Sequence, residues 1–127
     1  MSRAGGKGAG GAVVRRYLDA MVAGDWDGVR ACLVPHVERL GPYGDDYHGV
    51  DEYVPFLRRT LESLDGYAMR VDRISDGSPN VVLAELSETV TIDGARLETP
   101  EALVFDLAPD GRIARVAIFL RRSFNPG

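Results

Sequence analysis

VVLAELSETVTIDGARLETPEALVFDL, residues 81–107, carries the reading that decides the fold. In Val81–Ile92 the even positions Leu86, Val90 and Ile92 are apolar, while Glu85, Ser87, Thr89 and Thr91 are polar. In Leu97–Leu107 the odd positions Leu97, Leu103, Phe105 and Leu107 form the apolar face. Side chains alternate faces along a strand, so both segments read as half-buried strands. Asp93-Gly94 between them is a two-residue hairpin signal. A turn there sets Ile92 opposite Ala95, Val90 opposite Leu97, Glu88 opposite Thr99 and Leu86 opposite Glu101, which brings both apolar faces to one side. Glu88 and Glu101 interrupt that face as diagonal neighbours, with backbones about 7–8 Å apart. A carboxylate on a buried face is costly unless it is paired, hydrogen-bonded or protonated. The misfit therefore points to a functional cavity or to a local opening to water.

Outward from the hairpin, the rest of the chain falls into three helices and further strands. Val13, Val14, Tyr17, Leu18, Met21 and Val22 recur at helical spacing until Gly24-Asp25. Asp25 can cap a short second helix with Trp26, Val29, Cys32 and Leu33 on its apolar side, closed by Pro35. Val37–Leu40 reads as a short extended piece before the turn-rich Gly41-Pro42-Tyr43-Gly44-Asp45-Asp46. A third helix follows His48-Gly49, with the stripe Tyr53, Val54, Phe56, Leu57, Leu61 and Leu64, and Asp65-Gly66 stops it. Strands are expected at Tyr67–Ile74, Val81–Ile92, Leu97–Leu107 and Arg112–Arg122. Turns at Asp76-Gly77-Ser78-Pro79, Asp93-Gly94 and Pro109-Asp110-Gly111 separate them. This order predicts an α+β domain: three N-terminal helices on one face of a curved, four-to-five-stranded antiparallel sheet.

At 127 residues the chain suits one domain, expected over residues 12–123. Residues 1–11 hold five glycines and no large apolar side chain past Met1, and read as a flexible tail; 124–127 read as a second tail. A net charge of −4 with scattered arginines argues against nucleic acid or an acidic membrane surface as the main partner. The single cysteine, Cys32, excludes an internal disulfide framework and falls in an apolar helical pattern, as a buried thiol does. No stretch approaches the roughly 20 apolar residues of a membrane helix, and the N-terminus lacks a hydrophobic signal core, so a cytoplasmic address is expected. His36 and His48 show no metal-ligand spacing, and residues 5–11 lack the context of a phosphate loop. Neither a metal nor a cofactor is expected.

Tyr17, Gly24-Asp25, Pro42-Tyr43-Gly44, His48-Gly49 and Asp110-Gly111-Arg112-Ile113 occur in the order and spacing of a known group. Over residues 13–122 the chain resembles the SnoaL-like and ketosteroid-isomerase-like branch of the nuclear-transport-factor-like superfamily. The resemblance implies a conical α+β barrel with an apolar pocket open at one end, often dimerised through its sheets, here through Arg115, Ala117 and Phe119. It implies less about chemistry. The proton-shuttling aspartate of the isomerases falls at Gly41, and their protonated strand aspartate at Leu103; only their tyrosine is matched, by Tyr17. The late-strand acid of the cyclases meets Val116, Ile118 and Leu120, and the Asp-Arg-Asp set of limonene-epoxide-hydrolase-like relatives is not visible. A classical ketosteroid isomerase is therefore disfavoured.

On that template Glu88 and Glu101 line the pocket with Leu86, Val90, Thr99, Leu103, Val116 and Ile118, and Arg39 faces inward from the short strand. Glu101 is the candidate acid/base and Glu88 its coupled partner, since two close carboxylates in a poor solvent cannot both ionise cheaply. Arg39, Tyr17, Thr99, Tyr43, Leu103, Phe56, Val116 and Ile118 are the candidate substrate-binding residues. Arg39 orients a ligand oxygen or serves as counter-ion to the glutamates. Tyr17 donates to ligand or packs in the core, and Tyr43, Asp45 and Asp46 form a rim. The expected partner is a small hydrophobic molecule, with a second copy of the chain forming a homodimer. The expected activity is cofactor-independent isomerisation, cyclisation or hydration; the alternatives are a noncatalytic binder and a dimerisation module of the same fold.

Overall fold

The computed structural model describes residues 9–121. Helix α1 spans Ala9–Ala23, α2 Trp26–Ala31 and α3 Val50–Ser63. The strands are β1 Leu33–Leu40, β2 Tyr47–His48, β3 Ala68–Ser78, β4 Val81–Ile92, β5 Ala95–Leu107 and β6 Ile113–Leu120. They form one six-stranded sheet in the order β2-β1-β6-β5-β4-β3. Two expectations are corrected by this sheet: it has six strands, and it is mixed, because β1 runs parallel to β6 while the other neighbours are antiparallel. Parallel pairing between remote segments leaves no local mark in a sequence, whereas a hairpin does.

The β4–β5 hairpin has the register read from the sequence, with Ile92 against Ala95, Glu88 against Thr99 and Leu86 against Glu101. Asp93 at φ 51° and Gly94 at φ 80° supply the paired positive dihedrals of a tight turn whose twist suits the strands. Burial fades along the inner face. Val82, Ala84, Leu86, Leu103 and Phe105 are buried, Glu88 and Glu101 half-buried, and Ile92 and Leu97 exposed at the tip. The glutamates thus sit where the core gives way to an opening.

Helix α1 buries Val13, Val14, Tyr17, Leu18 and Met21 against the sheet, with the Tyr17 ring edge-on to Phe105 at 5.8 Å. It starts at Ala9, inside the stretch expected to be tail, while residues 1–8 and 122–127 lie outside the described residues. Gly10 explains the difference: it is buried, and a Cβ there would stand 2.8 Å from Val82 Cγ2 and 3.0 Å from Leu107 Cδ1. Its bareness serves close helix–sheet packing rather than flexibility. Asp25 caps α2 by accepting from the Gly28 N–H at 3.0 Å.

Pro35 does not close α2. The helix ends at Ala31, and Leu33 already pairs with Ile113 in the sheet. Pro35 lies where the β1–β6 register shifts between Leu33 and Glu38, a place that tolerates a residue without an N–H. β3 likewise runs through Asp76-Gly77-Ser78, and the chain reverses at Pro79-Asn80 instead. The residues facing the helices form one core, with Tyr17, Tyr53, Phe105, Leu33, Ile113 and Val116 almost fully buried.

Candidate functional site

Two cavities with five lining residues in common lie on the inner face. The inner chamber, about 130 Å³, is lined by Tyr17 and Met21 of α1, Tyr53, Phe56, Leu57, Thr60 and Leu61 of α3, and Met69, Leu86 and Leu103 of the sheet. The outer mouth, about 240 Å³, is lined by Pro42, Tyr43, Tyr67, Val90, Thr99 and Leu120. Arg39, Leu64, Glu88, Glu101 and Ile118 border both and form the waist between them.

Most candidates from the sequence meet here. Glu88 and Glu101 share the waist with Arg39 and Ile118; Tyr17, Phe56 and Leu103 line the inner chamber; Thr99 and Tyr43 line the mouth, where Tyr43 is 69% exposed. Val116 does not: it points inward at full burial but lines neither cavity, being covered within the core between Arg39 and Phe105 of the neighbouring strands.

The two carboxyl groups interact directly, and the interaction favours the protonated form of Glu101. Burial, then the hydrogen bond and negative charge of Glu88, pushes the Glu101 carboxyl up to about 9, while the charge of Arg39 pulls the other way. Glu101 is thus a neutral acid at pH 7. Tyr67, just before β3, donates its hydroxyl proton to Glu88 Oε2. Burial and the adjacent Glu88 push the Tyr67 phenol far up, so it remains a donor.

Arg39 is buried, with 8% of its surface exposed. Its partner is neither glutamate. Nη1 donates to Asp45 Oδ2 at 2.8 Å and to the Asp45 carbonyl at 2.7 Å, and the guanidinium carbon lies 5.0 Å from the Phe56 ring centre. Burial opposes ionisation of Asp45, but the hydrogen bonds from Arg39 and the Tyr43 N–H outweigh it and hold the carboxyl below its usual range. A Cβ on Gly41 would stand 2.2 Å from Asp45 Oδ1 and 2.5 Å from Arg39 Nη1, so glycine at 41 is what lets this ion pair close. Arg39 Nε, fully buried, has no hydrogen-bond partner among the described residues. On the far wall the Tyr17 and Tyr53 hydroxyls are hydrogen-bonded to each other. Burial raises both phenols, Tyr53 to about 12, and each stays neutral.

Tyr53 and Tyr67 are functional candidates that the sequence reading passed over, one as a helix-stripe residue and the other as the start of a strand. Their signal was weak: an aromatic at an apolar position carries no mark of what its hydroxyl meets. Among the described residues no group of three or more His, Cys, Asp or Glu is placed to hold a metal ion.

The α+β domain thus sets a carboxyl pair and a guanidinium beside a cavity with apolar walls, an arrangement common at small-molecule sites. The family model described as the SnoaL-like domain matches residues 14–116, and the chain belongs to that family. Solved structures agree on the fold. An LEH-like epoxide hydrolase from M. tuberculosis is 23% identical with a TM-score of 0.78, over 91% of this chain and 84% of that one. A protein described as a SnoaL-like polyketide cyclase from Jannaschia sp. CCS1 is 17% identical with a TM-score of 0.81, over 94% and 90%. The epoxide hydrolase/cyclase-like enzyme SalBIII of salinomycin pyran-ring formation is 19% identical with a TM-score of 0.77, over 88% and 90%. No curated protein matches the chain.

Proposed function

We propose that the chain is a cofactor-independent acid/base enzyme acting on a small, largely hydrophobic molecule that carries an oxygen function. The observation that carries this reading is the Glu88–Glu101 pair at the edge of a chamber with apolar walls, where burial pushes the Glu101 carboxyl up. Glu101 donates its proton to a carbonyl, epoxide or leaving oxygen. Glu88 takes a proton from substrate carbon or from a water or hydroxyl nucleophile. The pair begins and ends with one proton, its location exchanged, so each turnover needs only proton return between the carboxyls. The Arg39 guanidinium, which borders both cavities, steadies the oxygen that gains electron density.

Isomerisation, cyclisation and epoxide opening all fit this scheme. SnoaL-like relatives named for cyclisation and epoxide hydrolysis support that range. The test is turnover by Glu101→Gln and Glu88→Gln of a substrate found by screening small ketones and epoxides. A loss of about 10²–10⁴-fold in each is expected for a lost proton-transfer group. Unchanged turnover in Glu101→Gln overturns the reading.

We also propose that the outer sheet face pairs two copies of the chain. Leu83, Val104 and Ala117 stand side by side across β4, β5 and β6, next to Ala102 and Phe119. Phe119 is 58% exposed, a costly position for a phenyl ring unless another surface covers it.

A further inference from the structure

The division of the pocket carries information about what fills it. We propose that the substrate is an electrically neutral compound whose apolar part is one six-membered ring or an equally compact chain in the inner chamber, with its oxygen function at the Glu88–Glu101–Arg39 waist and any longer substituent leading out through the mouth.

The chamber sets the size. Its volume is about 130 Å³, and its walls beyond the waist include Met21, Leu57, Leu61, Met69, Leu86 and Leu103. An apolar cavity of about 150 Å³ stays dry and takes one benzene ring. A fused two-ring system would have to displace wall residues that are themselves packed, Leu86 at 2% and Leu103 at 5% exposure. The waist sets the position of the oxygen function, because Glu88, Glu101 and Arg39 border both cavities.

Charge sets the rest. Nη1 of Arg39 is spent on Asp45, whose carboxylate offsets the guanidinium charge. Recognition of a carboxylate or phosphate by arginine uses two parallel N–H donors and an uncompensated cation. With Arg39 and Asp45 balanced, the carboxyl groups of Glu88 and Glu101 face the waist with no second cation among the described residues that line it. It therefore accepts one neutral oxygen and repels an anion.

This assignment rests on the acid/base reading only for which atoms react; binding stands apart from turnover. Of the chain's three methionines, Met21 and Met69 line the chamber. Carbon-13 methyl-methionine NMR can then follow titrations with cyclohexanone, cyclohexanecarboxylate and 2-decalone at pH 7, on the wild-type chain and on Glu101→Gln. Saturable shifts of both methyls are expected with cyclohexanone, in both proteins. The carboxylate and the two-ring ketone should each bind at least tenfold more weakly at these methyls. Leu61→Trp, at a partly exposed helix position, should weaken cyclohexanone at least tenfold. The proposal is overturned if 2-decalone shifts the same methyls with equal affinity, if the carboxylate binds more tightly than the ketone, or if cyclohexanone leaves both methyls unmoved. Ring binding without any proton-transfer chemistry would sink the acid/base reading and leave the chamber assignment standing; turnover of a two-ring substrate of equal affinity would do the reverse.

Discussion

Replacing Glu101 by glutamine should stabilise the protein, and by an amount that grows with pH. Below about pH 4.5 the carboxyl is protonated in folded and unfolded chains alike, so it contributes nothing to pH dependence. Above that, the unfolded chain releases the proton while the folded one keeps it up to about 9, so folding is progressively opposed across this window and the penalty levels off beyond it. At pH 7 the full shift corresponds to about 3 kcal/mol, which contact with solvent at the mouth and proton sharing with Glu88 reduce to about 1–2 kcal/mol. Glutamine has the same shape, never ionises, and can still donate to Glu88. Glu101→Gln should therefore match wild type near pH 4.5 and gain about 1–2 kcal/mol, roughly 3–8 °C in Tm, at pH 7. At pH 9 the gain should be larger. Urea and thermal unfolding of both proteins at pH 4.5, 7 and 9 measure the difference directly. A constant difference across that range, or a loss of stability at pH 9, would refute the reasoning, because a normally ionised Glu101 predicts no such slope.

Tyr67→Phe removes the hydroxyl that donates to Glu88 and should cost about 1–2 kcal/mol in urea unfolding, the range for a hydrogen bond to a charged group at partial burial; a neutral result would show that solvent replaces it freely. Gly41→Ala forces a methyl into the Arg39–Asp45 contact and should destabilise by about 1–3 kcal/mol while weakening cyclohexanone binding in the NMR titration. Wild-type affinity in that variant would show that the ion pair does not hold Arg39 in place. Phe119→Asp should turn a dimer into a monomer in sedimentation equilibrium without lowering Tm of the monomer, and a wild-type chain that is monomeric at 100 μM or so would exclude the outer-face pairing.

Local chemistry made part of this molecule legible before any coordinates. Asp93-Gly94 fixes the hairpin register, and the register fixes the pairing of Leu86 with Glu101 and Glu88 with Thr99, so two acids misplaced on an apolar face led to residues that border both cavities. What local chemistry does not encode is partnership across the chain. The parallel neighbourhood of β1 and β6 depends on long-range packing, and Pro35, a strong helix-stop signal, was equally at home in an irregular stretch of strand. Arg39 faced inward as its position implied, yet its ion-pair partner came from the turn-forming Asp45 rather than from the glutamates. Tyr53 and Tyr67 were invisible for a related reason: the ring satisfies the apolar pattern, and only the fold decides what each hydroxyl touches.

The parallel contact between β1 and β6 also governs when the site can exist. Arg39 lies in β1 and pairs beside Val116 in β6, the first and last strands of the described residues, and Ile118 of β6 closes the waist. While the chain is still emerging, the hairpin acids and the guanidinium are already made, but the wall that brings them together is missing. A ribosome-bound chain lacking β6 should hold no ligand, and pocket formation should coincide with the final cooperative step of folding rather than precede it. A molecule that seats in the waist thereby reports that two strands distant along the chain have paired.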